Sequence, residues 1–87
     1  TFNLSGRVPR EEKLPKPESN FNQEGTIVVR IWVDKAGNVT NQSIIGGNIS
    51  DKSMQQLALQ TARKSKFTEG ETPQIGDITY TFKFKTN

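Results

Sequence analysis

Apolar and polar residues alternate along two stretches of the chain, one near its middle and one close to its C-terminal end. The first stretch runs from Thr26 to Val33. Its apolar face is formed by every second residue: Ile27, Val29, Ile31 and Val33. A period of two residues predicts a β-strand with one buried face. Val28 and Trp32 lie on the opposite face, so we expect that face to be partly covered, with the N-terminal arm as the candidate cover.

A hairpin turn is predicted directly after this strand. Asp34 is favoured at the first position of a type I turn, and Gly37 can adopt the left-handed conformation that closes a three-residue loop. A second strand is predicted from Val39 to Ile45. It is less regular than the first, because Ile44 and Ile45 interrupt the alternation. We therefore expect a β-bulge at this pair.

The next segment has the pattern of an amphipathic helix. Ser50 or Asp51 can cap its N-terminus. Its apolar stripe consists mostly of small residues that allow close packing on a sheet: Met54, Leu57, Ala58, Thr61, Ala62 and Ser65. Arg63, Lys64 and Lys66 are predicted in its last turn, where cations complement the helix dipole.

The last strand is predicted from Ile78 to Lys85. Its inward-facing residues are Ile78, Tyr80, Phe82 and Phe84, and its outward-facing residues are Thr79, Thr81, Lys83 and Lys85. The helical crossover places this strand parallel to the second, with the first strand between them. Since the strand contains no Pro, we expect its outer edge to be open to other chains.

These elements predict an α+β fold of the type strand–strand–helix–strand. The sheet is three-stranded and antiparallel, with the strands in the order second, first, third and the helix packed on one face. An extended or short-helical arm, residues 1–19, precedes a folded domain of residues 20–87. Pro9, Pro15 and Pro17 favour an extended arm, because Pro fixes its own φ and disfavours the α region in the residue before it.

Length and composition limit the chain to one small domain. It has 87 residues, of which 31% are hydrophobic, so its core is modest. It begins with Thr1 and has neither a signal peptide nor an apolar run of about 18 residues. We interpret it as a piece of a longer protein, in which any membrane anchor would lie outside this segment.

The residue types exclude most catalytic chemistry. The chain contains no Cys and no His, which removes the common nucleophile–base pairs, imidazole general bases and nearly all transition-metal sites. It also lacks a glycine-rich phosphate loop. We therefore expect no enzymatic activity, no cofactor and no metal site.

The net charge of +3 favours an anionic partner. A small basic nucleic-acid-binding module is one alternative, with Arg63, Lys64 and Lys66 as its phosphate-binding patch. RNA-binding sheets present aromatic residues on their open face. Here the aromatic residues of the last strand share the apolar register instead, so we do not expect nucleic acid to be the partner.

Several motifs in one order resemble the C-terminal domain of TonB, the periplasmic energy transducer of the Gram-negative envelope. They are Leu14-Pro15-Lys16-Pro17, Glu24-Gly25, the hairpin from Val33 to Val39, Ala62-Arg63-Lys64 followed by Lys66-Phe67, and the aromatic C-terminal strand. The resemblance covers Leu14 to Lys85. Where the family often has Trp near the helix end, this chain has Ser65, so we expect Trp32 or Phe67 to fill that part of the core.

The resemblance implies a binding domain that captures the TonB box of outer-membrane transporters by strand addition. It would transmit a pull derived from the proton-motive force for uptake of iron chelates such as siderophores or of cobalamin. The predicted contact residues are Ile78, Thr79, Tyr80, Thr81, Phe82, Lys83, Phe84 and Lys85, with Lys16 and Pro17 from the arm.

The same resemblance implies a particular cellular setting. The domain would lie in the periplasm, and the full-length protein would be anchored in the inner membrane beside ExbB and ExbD. The segment itself would not insert into a membrane. A TolA-like envelope interaction domain is an alternative within the same class, and the open sheet edges also predict a homodimer.

Overall fold

The structure is a computed structural model that describes residues 2–3 and 23–83. In these ranges the chain forms, in order, β1 (Phe2–Asn3), β2 (Gly25–Val33), β3 (Val39–Gly47), α1 (Lys52–Lys64) and β4 (Gln74–Phe82). The predicted contact residues Lys16, Pro17, Phe84 and Lys85 lie outside the described residues, as does most of the predicted arm.

The described strands form one antiparallel sheet in the order β1-β4-β2-β3. The predicted order of the second, first and third strands is confirmed as β3-β2-β4, and the predicted α+β class is confirmed as well. The helix connects β3 to β4 and contacts both β3 and β2. β1, at the outer side of β4, was not predicted, because two residues are too few to show a hydrophobic period.

The core lies between the sheet and α1. The predicted apolar face of β2 is buried, with Ile27, Val29, Ile31 and Val33 all at most 1% exposed. From the helix, the buried residues are Met54, Ala58, Thr61 and Ala62. Phe67 is fully buried, whereas Trp32 is half-buried on the other face of the sheet. Phe67 is therefore the aromatic residue that completes the core near the helix end.

The hairpin between β2 and β3 is stabilised by hydrogen bonds within the turn and by contacts with the segment that follows the helix. The Asp34 side chain accepts a hydrogen bond from the Asn38 N–H at 2.9 Å, and the Gly37 N–H donates to the Asp34 carbonyl at 3.1 Å. Gly37 has φ +91°, and a Cβ added there would overlap the Phe67 carbonyl oxygen. The Phe67 N–H in turn donates to the Gly37 carbonyl at 2.9 Å. The turn therefore fixes the segment that follows the helix.

Both ends of α1 are capped. The Asp51 side chain accepts from the Met54 N–H at 2.9 Å, so Asp51 is the N-cap of the two predicted candidates. The helix ends at Lys64, which places Lys66 beyond it rather than in its last turn. The Lys66 ammonium donates to the Asn38 Oδ1 at 3.1 Å. Lys66 departs from the helix because the backbone at this point pairs with the hairpin.

β4 lies further toward the N-terminus than the sequence predicts. It begins at Gln74 rather than Ile78 and ends at Phe82 rather than Lys85. The reason is its pairing with β2, which runs without interruption from Val33 opposite Gln74 to Gly25 opposite Phe82. Since β2 supplies no partner past Gly25, Lys83 follows the strand instead of belonging to it.

β3 is longer and less regular than its neighbours. It extends to Gly47, and the predicted bulge is confirmed, because Val28 pairs with Gly46 while Val29 pairs with Ile44. Ile45 is the extra residue. A second register shift near Trp32 makes Thr40 an extra residue too. Of the two strands that flank β2, β3 is thus irregular and β4 is regular.

Candidate functional site

The candidate site is the outer edge of β4, the side of that strand that faces away from β2. Three inward-facing side chains hold the strand in place: Ile78, Tyr80 and Phe82 are 1%, 6% and 1% exposed. The ladder between β4 and β2 shows no register shift in these described strands. A buried row of side chains and a continuous ladder together hold β4 in one register against β2.

Hydrogen bonds on β2 reveal which backbone groups of that strand are directed toward β3. The Thr26 N–H donates to the Asn48 Oδ1 at 2.8 Å, and its carbonyl accepts from the Asn48 N–H at 3.0 Å. At the other end of β2, the Trp32 carbonyl accepts from the Thr40 hydroxyl at 3.2 Å. Both groups therefore face β3 and not β4.

The alternation of an antiparallel ladder then fixes the direction of the β4 backbone. Thr26 lies opposite Thr81, and Trp32 lies opposite Ile75. Where one member of an opposed pair directs its polar groups away from the other, its partner does the same. The residues of β4 whose N–H and C=O groups are directed to the outer edge are Ile75, Asp77, Thr79 and Thr81.

The side chains of these outward-directed residues lie on the open face of the sheet, opposite to the helix. Ile75 is 60% exposed and lies across the ladder from the half-buried Trp32. Asp77 accepts from the Arg30 Nε at 3.0 Å, and this ion pair is partly exposed to solvent. The edge is therefore bordered by one apolar pair and one neutralised charge pair.

Tyr80 is the residue of β4 whose pKa is shifted. Burial raises the pKa of Tyr80 to about 12, and the nearby Ser65 hydroxyl opposes this shift. The tyrosine hydroxyl makes no hydrogen bond of regular geometry within the described part of the chain. Tyr80 thus remains neutral at physiological pH and serves to anchor the strand rather than to attract ligands.

The structure separates the predicted contact residues into different roles. Thr79 and Thr81 direct backbone groups to the outer edge, whereas the inward-facing Ile78, Tyr80 and Phe82 direct theirs to β2. Lys83 is exposed just past the strand. The sequence reasoning missed Ile75 and Asp77. The alternation of buried and exposed residues does continue back to Gly76, which is buried. Because Gly and Asp are depleted in strands, the sequence does not indicate this extension of β4.

The outer edge of β4 is not entirely exposed. Phe2 pairs with Ile78 and Asn3 pairs with Asp77, in antiparallel orientation. This pairing places a segment of the chain itself at the middle of the candidate site. It differs from the prediction that the edge would be open.

Other candidate chemistries find less support. Trp32 is the one aromatic side chain on the open face among those that the structure describes, and Lys66 of the predicted phosphate-binding patch is bound to the hairpin. The described residues contain no group of three or more acidic side chains that could hold a metal ion. None of the described residues forms a helix with the length and apolarity needed to cross a bilayer.

Fold and edge together define a class: a small α+β domain with a regular strand at one side of its sheet, suited to contact with other polypeptides. The comparison with protein families is more specific. The family described as the Gram-negative bacterial TonB protein C-terminal matches residues 11–86, and the chain belongs to this family. Its members are protein-interaction domains of energy transducers, and membership implies a periplasmic location. The comparisons with curated proteins and with solved structures find no match.

Proposed function

We propose that this domain captures the TonB box of outer-membrane transporters by adding it as a strand to the outer edge of β4. The observation that carries the proposal is the row of outward-directed backbone groups at Ile75, Asp77, Thr79 and Thr81. Strand addition obtains its affinity from such groups and its specificity from alternate side chains. The proposal places the domain in the periplasm, in a protein anchored to the inner membrane beside ExbB and ExbD.

Charge supports the direction of approach. Lys83 is exposed where β4 ends, and the chain carries a net charge of +3. An acidic segment is therefore drawn toward the C-terminal part of the edge before the ladder forms. Asp77 does not oppose this attraction strongly, because Arg30 neutralises it at 3.0 Å.

The need to transmit a mechanical force also favours the outer edge of β4 as the binding site. A strand that is pulled along its own axis loads all of its ladder hydrogen bonds together, whereas a strand that is peeled loses them one at a time. β4 suits the first geometry, because it pairs along the full length of β2 and is fixed by buried side chains. The pull that drives uptake of iron chelates or cobalamin would then pass from the box through β4 into the core.

The test is an NMR titration of the ¹⁵N-labelled domain with a synthetic peptide from the N-terminal segment of a TonB-dependent transporter of the same cell. We expect slowed amide exchange at the outward-directed amides of Thr79 and Thr81, with little change at Ile78 and Tyr80, whose amides already face β2. A peptide with Pro at its centre is the matched control, because Pro removes a ladder donor.

Two results would contradict the proposal. The first is equal protection by both peptides, which would mean that the backbone ladder is not the recognition element. The second is no response to either peptide together with shifts at Arg63 and Lys64 on addition of an oligonucleotide. That pattern would favour the nucleic-acid-binding alternative.

A further inference from the structure

β1 lies on the same edge that the proposed partner uses. Phe2 pairs with Ile78 and Asn3 with Asp77 on the side of β4 that faces away from β2. We propose that β1 is a tethered competitor, which the partner strand must displace before it can pair with the middle of β4. This inference rests on the proposed function and adds a means of regulating it.

Geometry makes the two occupants mutually exclusive at these positions. Adjacent strands lie about 4.8 Å apart, and one strand edge accepts a single neighbour at each position. Asp77 directs its N–H and C=O groups outward, and Asn3 lies opposite Asp77. A partner strand that reaches the middle of β4 therefore needs the place that β1 holds.

β1 lies outside the part of the chain that defines the family. The family matches residues 11–86, and β1 comprises Phe2–Asn3. The domain's three-stranded sheet is complete without it, since β2 pairs with both β3 and β4. β1 thus lies outside the matched residues, and the three-stranded sheet does not need it to be complete.

The contact is short enough to be reversible. Of the described residues, two pair with the outer edge of β4, and holding this remote segment in place costs chain entropy. If the competing strand is docked in most molecules, the apparent affinity for the partner falls by the fraction that remains open. We expect a reduction of about threefold to tenfold, which corresponds to about 0.6–1.4 kcal/mol.

A graded series of variants tests the competition. Phe2→Pro with Asn3→Pro removes the donors of β1, while Phe2→Val with Asn3→Thr places strand-forming residues at the same positions. The affinity for the transporter peptide is measured by titration calorimetry in the full 87-residue chain. We expect the Pro variant to bind the peptide most tightly, the wild type less tightly, and the Val-Thr variant least tightly.

Amide exchange without peptide tests the pairing itself. In the Pro variant the outward-directed Asp77 amide should exchange faster than in the wild type. The Ile78 amide faces β2, so it should be unchanged and serves as the internal control for an intact sheet. Unchanged exchange at Asp77 would show that β1 does not protect the edge, which would overturn the inference.

The outcomes distinguish failure of the inference from failure of the proposed function. If all three chains bind the peptide with the same affinity, capture at the edge stands and the competition is wrong. If none of them binds while Asp77 exchange still responds to the Pro variant, β1 covers the edge but the proposed partner is wrong, and the competition falls with it.

Discussion

The two outer strands of the domain's own sheet present opposite kinds of edge. β3 contains two extra residues, Thr40 and Ile45, that shift its register against β2. At its outer side, the Gln42 N–H is taken up by the Asn41 side chain at 2.9 Å. β4 contains no such shift along its described length, and its polar groups alternate regularly.

This contrast indicates that backbone regularity, more than hydrophobicity, decides which edge can accept a strand. β3 exposes Ile45, and β4 exposes Ile75, so both edges offer an apolar side chain. Bulges and locally satisfied donors keep an edge from pairing with another chain, whereas an uninterrupted row of polar groups is a template. Only β4, of these two strands, retains such a row.

The largest effect on stability is expected from a substitution at the end of β3. Gly47 has φ +112°, and a Cβ added there would overlap the Thr26 carbonyl oxygen. We expect Gly47→Ala to lower the free energy of unfolding by about 2–4 kcal/mol, through strain and displacement of β2. Urea unfolding followed by Trp32 fluorescence measures the change.

Gly46→Ala is the matched control for this substitution. A Cβ at Gly46 would meet only the Val28 side chain at 3.8 Å, an ordinary contact. The free energy of unfolding should change by no more than about 0.5 kcal/mol. If the two variants lose the same free energy of unfolding, the backbone conformation of Gly47 is not the cause of the destabilisation.

High pH should weaken the anchor on the inner side of β4. The folded protein keeps Tyr80 protonated up to its pKa of about 12, while the unfolded chain loses that proton near pH 10.0. The stabilisation that depends on neutral Tyr80 is therefore fully present below pH 10 and is lost as the pH rises to about 12, by up to about 3 kcal/mol. The difference in unfolding free energy between wild type and Tyr80→Phe isolates this effect, and a constant difference across the window would contradict it.

A backbone substitution at the outer side of β4 should affect binding rather than folding. The Thr81 N–H is directed outward, so Thr81→Pro removes a donor for the partner and leaves the ladder to β2 in place. We expect the affinity for the transporter peptide to fall by about tenfold to a hundredfold. Thr81→Ala, which keeps the N–H, should bind normally.

Circular dichroism must show that Thr81→Pro retains the wild-type fold before its binding is interpreted. A folded Thr81→Pro protein with normal affinity would place the partner elsewhere. Binding at β3 would be the first alternative to examine, which would reverse the contrast between the two edges.

The smallest effect is expected from the lysines that follow β4 in the sequence. Lys83→Glu combined with Lys85→Glu should weaken an acidic peptide about threefold to fivefold at low salt, and the loss should shrink as salt screens the interaction. The measurement is the salt dependence of the dissociation constant. If the variant and wild type respond identically to salt, these lysines do not steer the partner.

Much of the fold could be predicted because strong periods mark its core. The alternation of Ile27, Val29, Ile31 and Val33 identified β2, and the pair Ile44-Ile45 identified the bulge. The hairpin was predictable from Asp34 and Gly37, since both turn positions require particular residues. The family resemblance was predictable from the order of such motifs, and the match over residues 11–86 confirms it.

The candidate site was predicted less completely, for physical reasons. Gln74 to Asp77 reads as a loop by propensity, yet it is a strand because β2 offers a full-length partner. β1 has too few residues for a period, and its pairing depends on contacts far along the chain. Which groups of β4 face outward depends on hydrogen bonds made by Thr26 and Trp32 on another strand, and no local pattern encodes these.

Because β1 is covalently linked to the rest of the domain, its local concentration at the edge of β4 does not change when the protein is diluted. At its far end the link is fixed where the Gln23 side chain accepts from the Ser50 and Asp51 N–H groups, at 3.0 and 2.7 Å. A tethered strand keeps a local concentration on the order of millimolar, whatever the protein concentration. Under the proposed competition, a free partner at micromolar levels would displace β1 only if its intrinsic affinity for the edge is greater.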